Sequence, residues 1–206
     1  MIFERQIYRI KCGKMQEAAE TMRQEDDAAL AADTRGRPPT RIYTPMFAPE
    51  LLVVEYTGES LDEIAEGWAI WHGTGRAPAF FEKWQTPNEE FVAREVWQVP
   101  AHHTVDGAEN KIVVRWTRTA RSFKEEALAE LLTHWVIEGG RYTAHVMRPV
   151  YGPGSDVVLE VEYADLADYQ AKIAEWTAHP EIEAFFDQWH GLTVPGGSTE
   201  VWNLYP

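Results

Sequence analysis

Six side chains stand out for what their types and strand positions could do: Arg9, Arg41, Glu55, Arg115, His145 and Glu162. Along an extended strand, alternate residues share a face. In the segment 157–163, Val157, Leu159, Val161 and Tyr163 suit a helix-covered face. That leaves Glu160 and Glu162 on the opposite face, as Glu55 is left in its own segment. The same alternation sends Arg5, Arg9 and Arg115 to the second face and gives Arg41 and His145 equivalent places along another strand. Where the first and third strands are neighbours, the expected pairs are Arg9 with Glu55 and Arg115 with Glu162. A carboxylate beside a guanidinium titrates low and stays ionised. Such pairs either satisfy a polar sheet face or line a cavity and orient a polar ligand in it. In the second case His145 is the candidate general base, tuned by burial or a neighbouring carboxylate.

Other arrangements carry less chemistry. The run His72-Gly73-Thr74-Gly75-Arg76 has the flexible backbone of an anion-binding loop. It matches neither a phosphate-loop nor a dinucleotide fingerprint, and a loop that interrupts a helix accounts for it. His102 and His103, with Asp106 and Glu109, offer metal-ligand atoms, yet adjacent side chains diverge on an extended chain. No HExxH, CxxC or EF-hand spacing occurs. Cys12, the single cysteine, has no histidine close in sequence, and GxSxG is absent. The expectation is no metal and no cofactor.

The elements that position these residues emerge from an internal repeat. Trp71–Trp84, WHGTGRAPAFFEKW, aligns without a gap on Trp176–Trp189, WTAHPEIEAFFDQW. In the same register Glu95-Val96-Trp97 falls on Glu200-Val201-Trp202. Upstream, Leu51–Tyr56 matches Val158–Tyr163, and the Pro45–Pro49 turn matches Pro149–Pro153. Arg9 and Arg115 share the opening strand. Strand character over 2–10 and 111–118, helical spacing over 14–32 and 122–137, and two further strands follow in each half. Ser60 and Asp165 open the next helices, and last strands lie near 92–99 and 199–205. The order is β-α-β-β-α-β, twice: the split βαβ, ferredoxin-like unit. A first repeat at 1–99 and a second at 111–206 are joined by a polar linker at 100–110. The recurring Trp71, Trp84, Trp176 and Trp189 are expected to close helix against sheet.

Composition bounds the partners. A net charge of −14 argues against nucleic acid and against an anionic membrane. No apolar run approaches the roughly 18 residues of a membrane span, and MIFERQIYRI reads as a strand rather than a signal peptide. A cytoplasmic location is the expectation.

The stretch PVYGPGSDVVLEVEYADLADYQAKIAEWTAHPEIEAFFDQWHGLTVPGGSTEVWNLY resembles the dimeric α+β barrel superfamily, most closely its NIPSNAP-like branch. The resemblance rests on the Pro-Tyr-Gly-Pro turn, the Glu-Val-Glu-Tyr strand, the Glu-Trp helix and the terminal Glu-Val-Trp. It implies an α+β fold in which two ferredoxin-like units pack sheet to sheet as a barrel, here within one chain or in a homodimer. It also implies a small apolar or aromatic ligand in a cavity, with cofactor-independent monooxygenase chemistry as one outcome. A non-catalytic assembly module, with its duplicated sheets serving oligomerisation, is the rival. Haem handling is a third reading, with His72, His134 and His179 as axial candidates.

Overall fold

Strand β1 (Ile2–Ile10) turns Tyr8 and Ile10 into an apolar cluster and Arg5 and Arg9 to the other side, as alternation requires. The computed structural model describes residues 1–105, 109–138, 141–151 and 154–205. Asp106 of the connector and Gly152-Pro153 of the repeated turn lie outside these. The chain divides into two compact units, Met1–Val96 with Tyr205, and Trp97–Leu204. Among the described residues, eight strands and six α-helices make the protein α+β, and every described strand pairing is antiparallel.

In the first unit, β3 (Leu51–Gly58) lies between β1 and β2 (Arg41–Pro45). Helices α1 (Met15–Ala32), α2 (Leu61–Gly73) and α3 (Ala77–Trp84) follow the predicted order. Their apolar sides meet Ile42, Leu52 and Val54 of the sheet in one core with Met22, Trp71, Phe80 and Trp84. Ser60 caps α2 by accepting from the Glu63 N–H, and Glu63 reaches back to the Glu59 N–H at 2.6 Å. Strand β4 (Asn88–His103) starts here, tied to β1 by Arg9–Glu90 at 2.8 Å and Arg94–Glu4 at 2.7 Å.

In the second unit, β5 (Ile112–Thr119) lies between β7 (Asp156–Tyr163) and β8 (Ser198–Tyr205). Strand β6 (Ala144–Pro149) joins β7 to the second half of β4. Residues 101–103, which the composition assigns to a linker, are therefore strand, with His102 across from His145. The ladder shifts register between Gln98 and Ala101, around Pro100, which has no N–H to give it. Helix α4 (Glu125–Leu132) runs into a π-helical turn (Thr133–Ile137), and α5 (Leu166–Thr177) and α6 (Ile182–Leu192) complete the layer. Asp165 caps α5 through the Ala167 and Asp168 N–H groups at 2.8 and 2.9 Å.

The two units match residue for residue at their openings. The Ile10 N–H donates to Glu50 O, and the Ala120 N–H to Ser155 O, both at 2.7 Å. Gly13 and Phe123, at φ 74° and 62°, occupy the same left-handed turn position. Arg5, not Arg9, is thus the counterpart of Arg115. Arg5 stands across from Glu55 and Arg115 across from Glu160. The expected partners Arg9–Glu55 and Arg115–Glu162 are displaced by four and two residues respectively, because a period-two pattern looks the same after any even slip.

Candidate functional site

The second unit leaves an aromatic cleft of about 610 Å³ between its helices and its sheet. The floor is apolar because β5 and β7 alternate: Trp116, Leu159, Val161 and Tyr163 all turn to the helix side. The opposite wall comes from three elements. Trp135 enters from the π turn, Trp176 from α5, and Phe185 and Phe186 from α6. Trp135 and Trp176 each stand edge-on to Phe185 at 5.0 Å between ring centroids. Thr133, Val136 and Ile137 are β-branched residues with weak helix propensity. Over this run the helix widens, and the Glu138 N–H reaches five residues back to Thr133 O at 3.1 Å. Helix α5 buries none of its residues, whereas its counterpart α2 buries Ile64 and Trp71. Tyr169, Ile173 and Trp176 on its apolar side are only partly buried, and Ile173 and Trp176 line the cleft.

Polar groups gather around this cleft. His134 Nδ1 lies 2.7 Å from Glu138 Oε2, an arrangement that leaves Nε2 for another partner. His179 Nδ1 instead accepts from the Glu181 N–H at 3.2 Å, which places its proton on Nε2. Lys172 and Arg141 both bind Glu175, whose carboxyl is held below the usual carboxylate range, first by the Lys172 hydrogen bond. Burial pushes the Tyr163 phenol up.

The first unit has an equivalent cleft of about 450 Å³ with a different character. Trp71, Phe80, Phe81 and Trp84 repeat the aromatic set. Glu25 follows Lys14, the residue that precedes α1, by the same interval as Trp135 follows Lys124 before α4. Glu25 accepts from Arg76 Nε and Nη2 at 3.1 and 2.9 Å and from Trp71 Nε1 at 3.4 Å. Trp71 and Trp84 are each only 5 % exposed. Arg35–Asp33 and Arg37–Asp26 pairs add to the wall, and the Arg35 hydrogen bonds hold the Asp33 carboxyl down at about 2. Burial raises the Tyr8 phenol to about 12. Where the first cleft has Glu25 held by Arg76, the second has Trp135 against Phe185.

The six side chains singled out from the sequence lie away from these clefts. Glu55 is fully buried and accepts from Arg5 Nε at 2.6 Å, Arg5 Nη2, Arg41 Nη1 at 3.3 Å and Tyr43 Oη at 3.2 Å. Arg41 also lies over the Tyr43 ring. Glu160 is flanked in register by Arg115 and His145, just as Glu55 is by Arg5 and Arg41. Arg115 has its guanidinium 4.9 Å from the Trp97 ring centre and 3.7 Å from Glu160. The rings of His145 and His102 stack at 6.4 Å. Glu162 accepts from Asn110 at 2.9 Å, and Arg9 is half-exposed on Glu90. Sequence reasoning brought together Arg41 with Glu55 and His145 with Arg115, but it missed Glu160 and Arg5 as their partners. It also assigned the recurring Trp residues to packing alone. The usable signal was the mismatch of Trp135 with Glu25 between the repeats.

No protein-family model and no curated protein matches the sequence. Solved structures do. A candidate monooxygenase from Fusobacterium nucleatum subsp. nucleatum superposes over 100% of this chain and 92% of its own, with TM-score 0.75 and 9% identity. An anthrone oxidase-like protein gives 0.62 over 100% and 91%, at 10% identity. A haem-degrading enzyme from Listeria monocytogenes gives 0.51 over 98% and 99%, at 6% identity. At such identities the likeness establishes a shared fold. Among the described residues, no helix is long and apolar enough to cross a membrane.

Proposed function

We propose that the second unit binds a planar aromatic molecule in its helix–sheet cleft and oxygenates it without a cofactor, in a protein of the NIPSNAP-like branch of the dimeric α+β barrel superfamily. One observation carries the reading: Trp135, Trp176, Phe185 and Phe186 surround a space of about 610 Å³ that α5 leaves unfilled. That volume and lining suit a small, largely apolar ligand. The NIPSNAP-like assignment draws support from the ferredoxin-like order of elements and from neighbours related to antibiotic biosynthesis monooxygenases.

Oxygenation without a cofactor requires the substrate to supply the electrons itself. A methylene flanked by aromatic rings and activated by a conjugated carbonyl does so once deprotonated. The carbanion reduces dioxygen, one oxygen atom stays as a new carbonyl, and the other leaves as water with the two methylene hydrogens. His134 is the base in this scheme. Its Nδ1 is held by Glu138, so Nε2 is the atom that takes the proton. Anthrone, the substrate class in the name of one structural neighbour, has this chemistry.

Anaerobic titration with anthrone tests binding through Trp fluorescence, and admission of oxygen then tests turnover to the quinone. Saturable quenching that Trp135→Ala weakens supports the reading. Unchanged fluorescence at millimolar anthrone sinks it.

Haem as a substrate is the second reading, favoured by His134, whose Nε2 lone pair is available for iron. His179 is not suited, because its Nδ1 accepts a backbone hydrogen bond and its Nε2 carries the proton. His72 stands against the Trp71 ring at 4.8 Å, in the first unit. A Soret shift on haem titration that His134→Ala abolishes would establish this reading, and an unchanged free-haem spectrum would remove it.

A further inference from the structure

Arg118 is the polar side chain of the second cleft that the scheme above leaves unused. It lies near the end of β5, lines the cleft, and has its guanidinium 5.9 Å from the Trp189 ring centre. Its Nη1 donates to two backbone carbonyls, Thr117 O at 2.8 Å and Ser198 O at 2.6 Å. Among the described residues it has no carboxylate partner, and its Nε and Nη2 make no hydrogen bond. The other cations of the cleft differ, since Lys172 and Arg141 share Glu175. Burial lowers the Arg118 pKa, as expected for a cation partly withdrawn from water without a counter-charge.

The backbone is built around this side chain. Gly197 adopts φ +109°, and a Cβ there would stand 2.3 Å from Thr117 O and 2.8 Å from Arg118 Cδ. Only glycine lets β8 approach this closely, and the approach puts Ser198 O where it fixes Nη1. With one edge of the fork held by carbonyls, the other edge keeps two donors in the geometry that receives an oxyanion. In the first unit the corresponding residue is Tyr8, a partly buried phenol hydrogen-bonded to Gln6. The first cleft therefore has no cation at this strand position.

We infer that Arg118 selects aromatic ligands that carry an anionic oxygen, a carboxylate, phenolate or enolate, at the Trp189 side of the second cleft. The inference rests on the aromatic-ligand reading and names the class within it. It also gives the proposed chemistry a second group. An enolate formed on deprotonation would meet a prepositioned cation, and stabilisation of developing charge is the larger part of such catalysis. A guanidinium serving only to clip β8 to β5 would be indifferent to ligand charge.

The test compares 2-naphthoate with 2-naphthamide, which share ring and shape and differ in charge, by Trp fluorescence and calorimetry. The unmodified protein is expected to bind the carboxylate about tenfold or more tighter, as a charge-assisted hydrogen bond allows. Arg118→Met should erase that preference while leaving the amide affinity within about twofold of the unmodified protein. Gly197→Ala should reduce the preference by displacing a guanidinium that is still present. Equal binding of the two ligands, or a preference that survives in Arg118→Met, overturns the inference and leaves the aromatic cleft standing. Binding of neither ligand overturns both. Thermal melts of both variants show whether the fold is retained, and Arg118→Lys, which keeps charge but loses the fork, should give an intermediate preference.

Discussion

Trp135 meets Phe185 edge-on in the second unit, where Glu25 meets Arg76 in the first. That exchange of an ion pair for an aromatic pair separates two clefts built on the same β-α-β-β-α-β frame. The equivalent tryptophans Trp71 and Trp176 then have different duties, one buried at 5 % exposure and the other partly buried in the wall of its cleft.

Substituting these two tryptophans separates stability from binding. Trp71→Ala should cost about 3–5 kcal/mol, the range for removing a large aromatic from a filled core. Trp176→Ala should cost about half as much or less, and should weaken aromatic ligands strongly. Urea denaturation and fluorescence titration of the two variants decide this. Equal destabilisation would mean that the second cleft is as tightly packed as the first.

Glu55→Gln should destabilise the protein by about 3–5 kcal/mol, because it leaves the buried Arg5 guanidinium without its counter-charge. Arg9→Ala, which removes only an exposed pair with Glu90, should cost less than about 1 kcal/mol. Chemical denaturation of both variants would expose an error in the strand register if the order were reversed.

The depressed Asp33 carboxyl makes a pH-dependent contribution. Its folded pKa of about 2 lies below the ordinary 3.8, so the unfolded chain binds the proton first as acid is added. The contribution is therefore complete above about pH 4 and is lost as pH falls toward 2. Comparing Asp33→Asn with the unmodified protein by urea unfolding from pH 5 to 2 should show a stability gap that closes in that window. A gap that stays constant would rule out the Asp33–Arg35 pair as its source.

At the alkaline end Tyr8 acts in the opposite sense. Its phenol is raised from 10 to about 12, mainly by burial, so folding favours the protonated form. The contribution holds below pH 10 and fades between 10 and 12 as the unfolded chain ionises first. Tyr8→Phe should flatten the stability profile there, and phenolate absorbance should show one tyrosine fewer titrating late.

Phe123 holds φ 62° with its ring 97 % exposed, whereas Gly13 holds the same turn in the first unit. Phe123→Gly should be neutral or stabilise by up to about 1 kcal/mol, since a bulky residue is strained there. A clear loss of melting temperature would show that the ring has a packing duty the exposed position does not suggest.

Alternation in the sequence reveals which face each strand residue takes, and Glu55, Arg41, Arg115 and His145 lie on the face assigned to them. It cannot reveal register, because facing is unchanged by a slip of two or four residues, and so Glu160 and Arg5 were exchanged for Glu162 and Arg9. Ser60 and Asp165 were legible as caps because their chemistry is local. The cleft was not legible. Leu166, Tyr169, Ile173 and Trp176 have the spacing of a packed helix, and nothing local says that a cleft remains beside α5. The π turn hides for a similar reason, since Thr133–Ile137 differs from an ordinary helix end only in its β-branched content.

The passage of β4 through Pro100 affects any attempt to obtain the halves separately. A fragment beginning at Lys111 would contain every helix of the second repeat, yet it would lack Trp97–His103, the strand that covers one side of β6. Its backbone N–H and C=O groups along β6 would be left as a bare sheet margin, the kind of surface on which chains stack and precipitate. Dissection of the gene has to follow the hydrogen bonds of β4 and β6 rather than the compositional boundary.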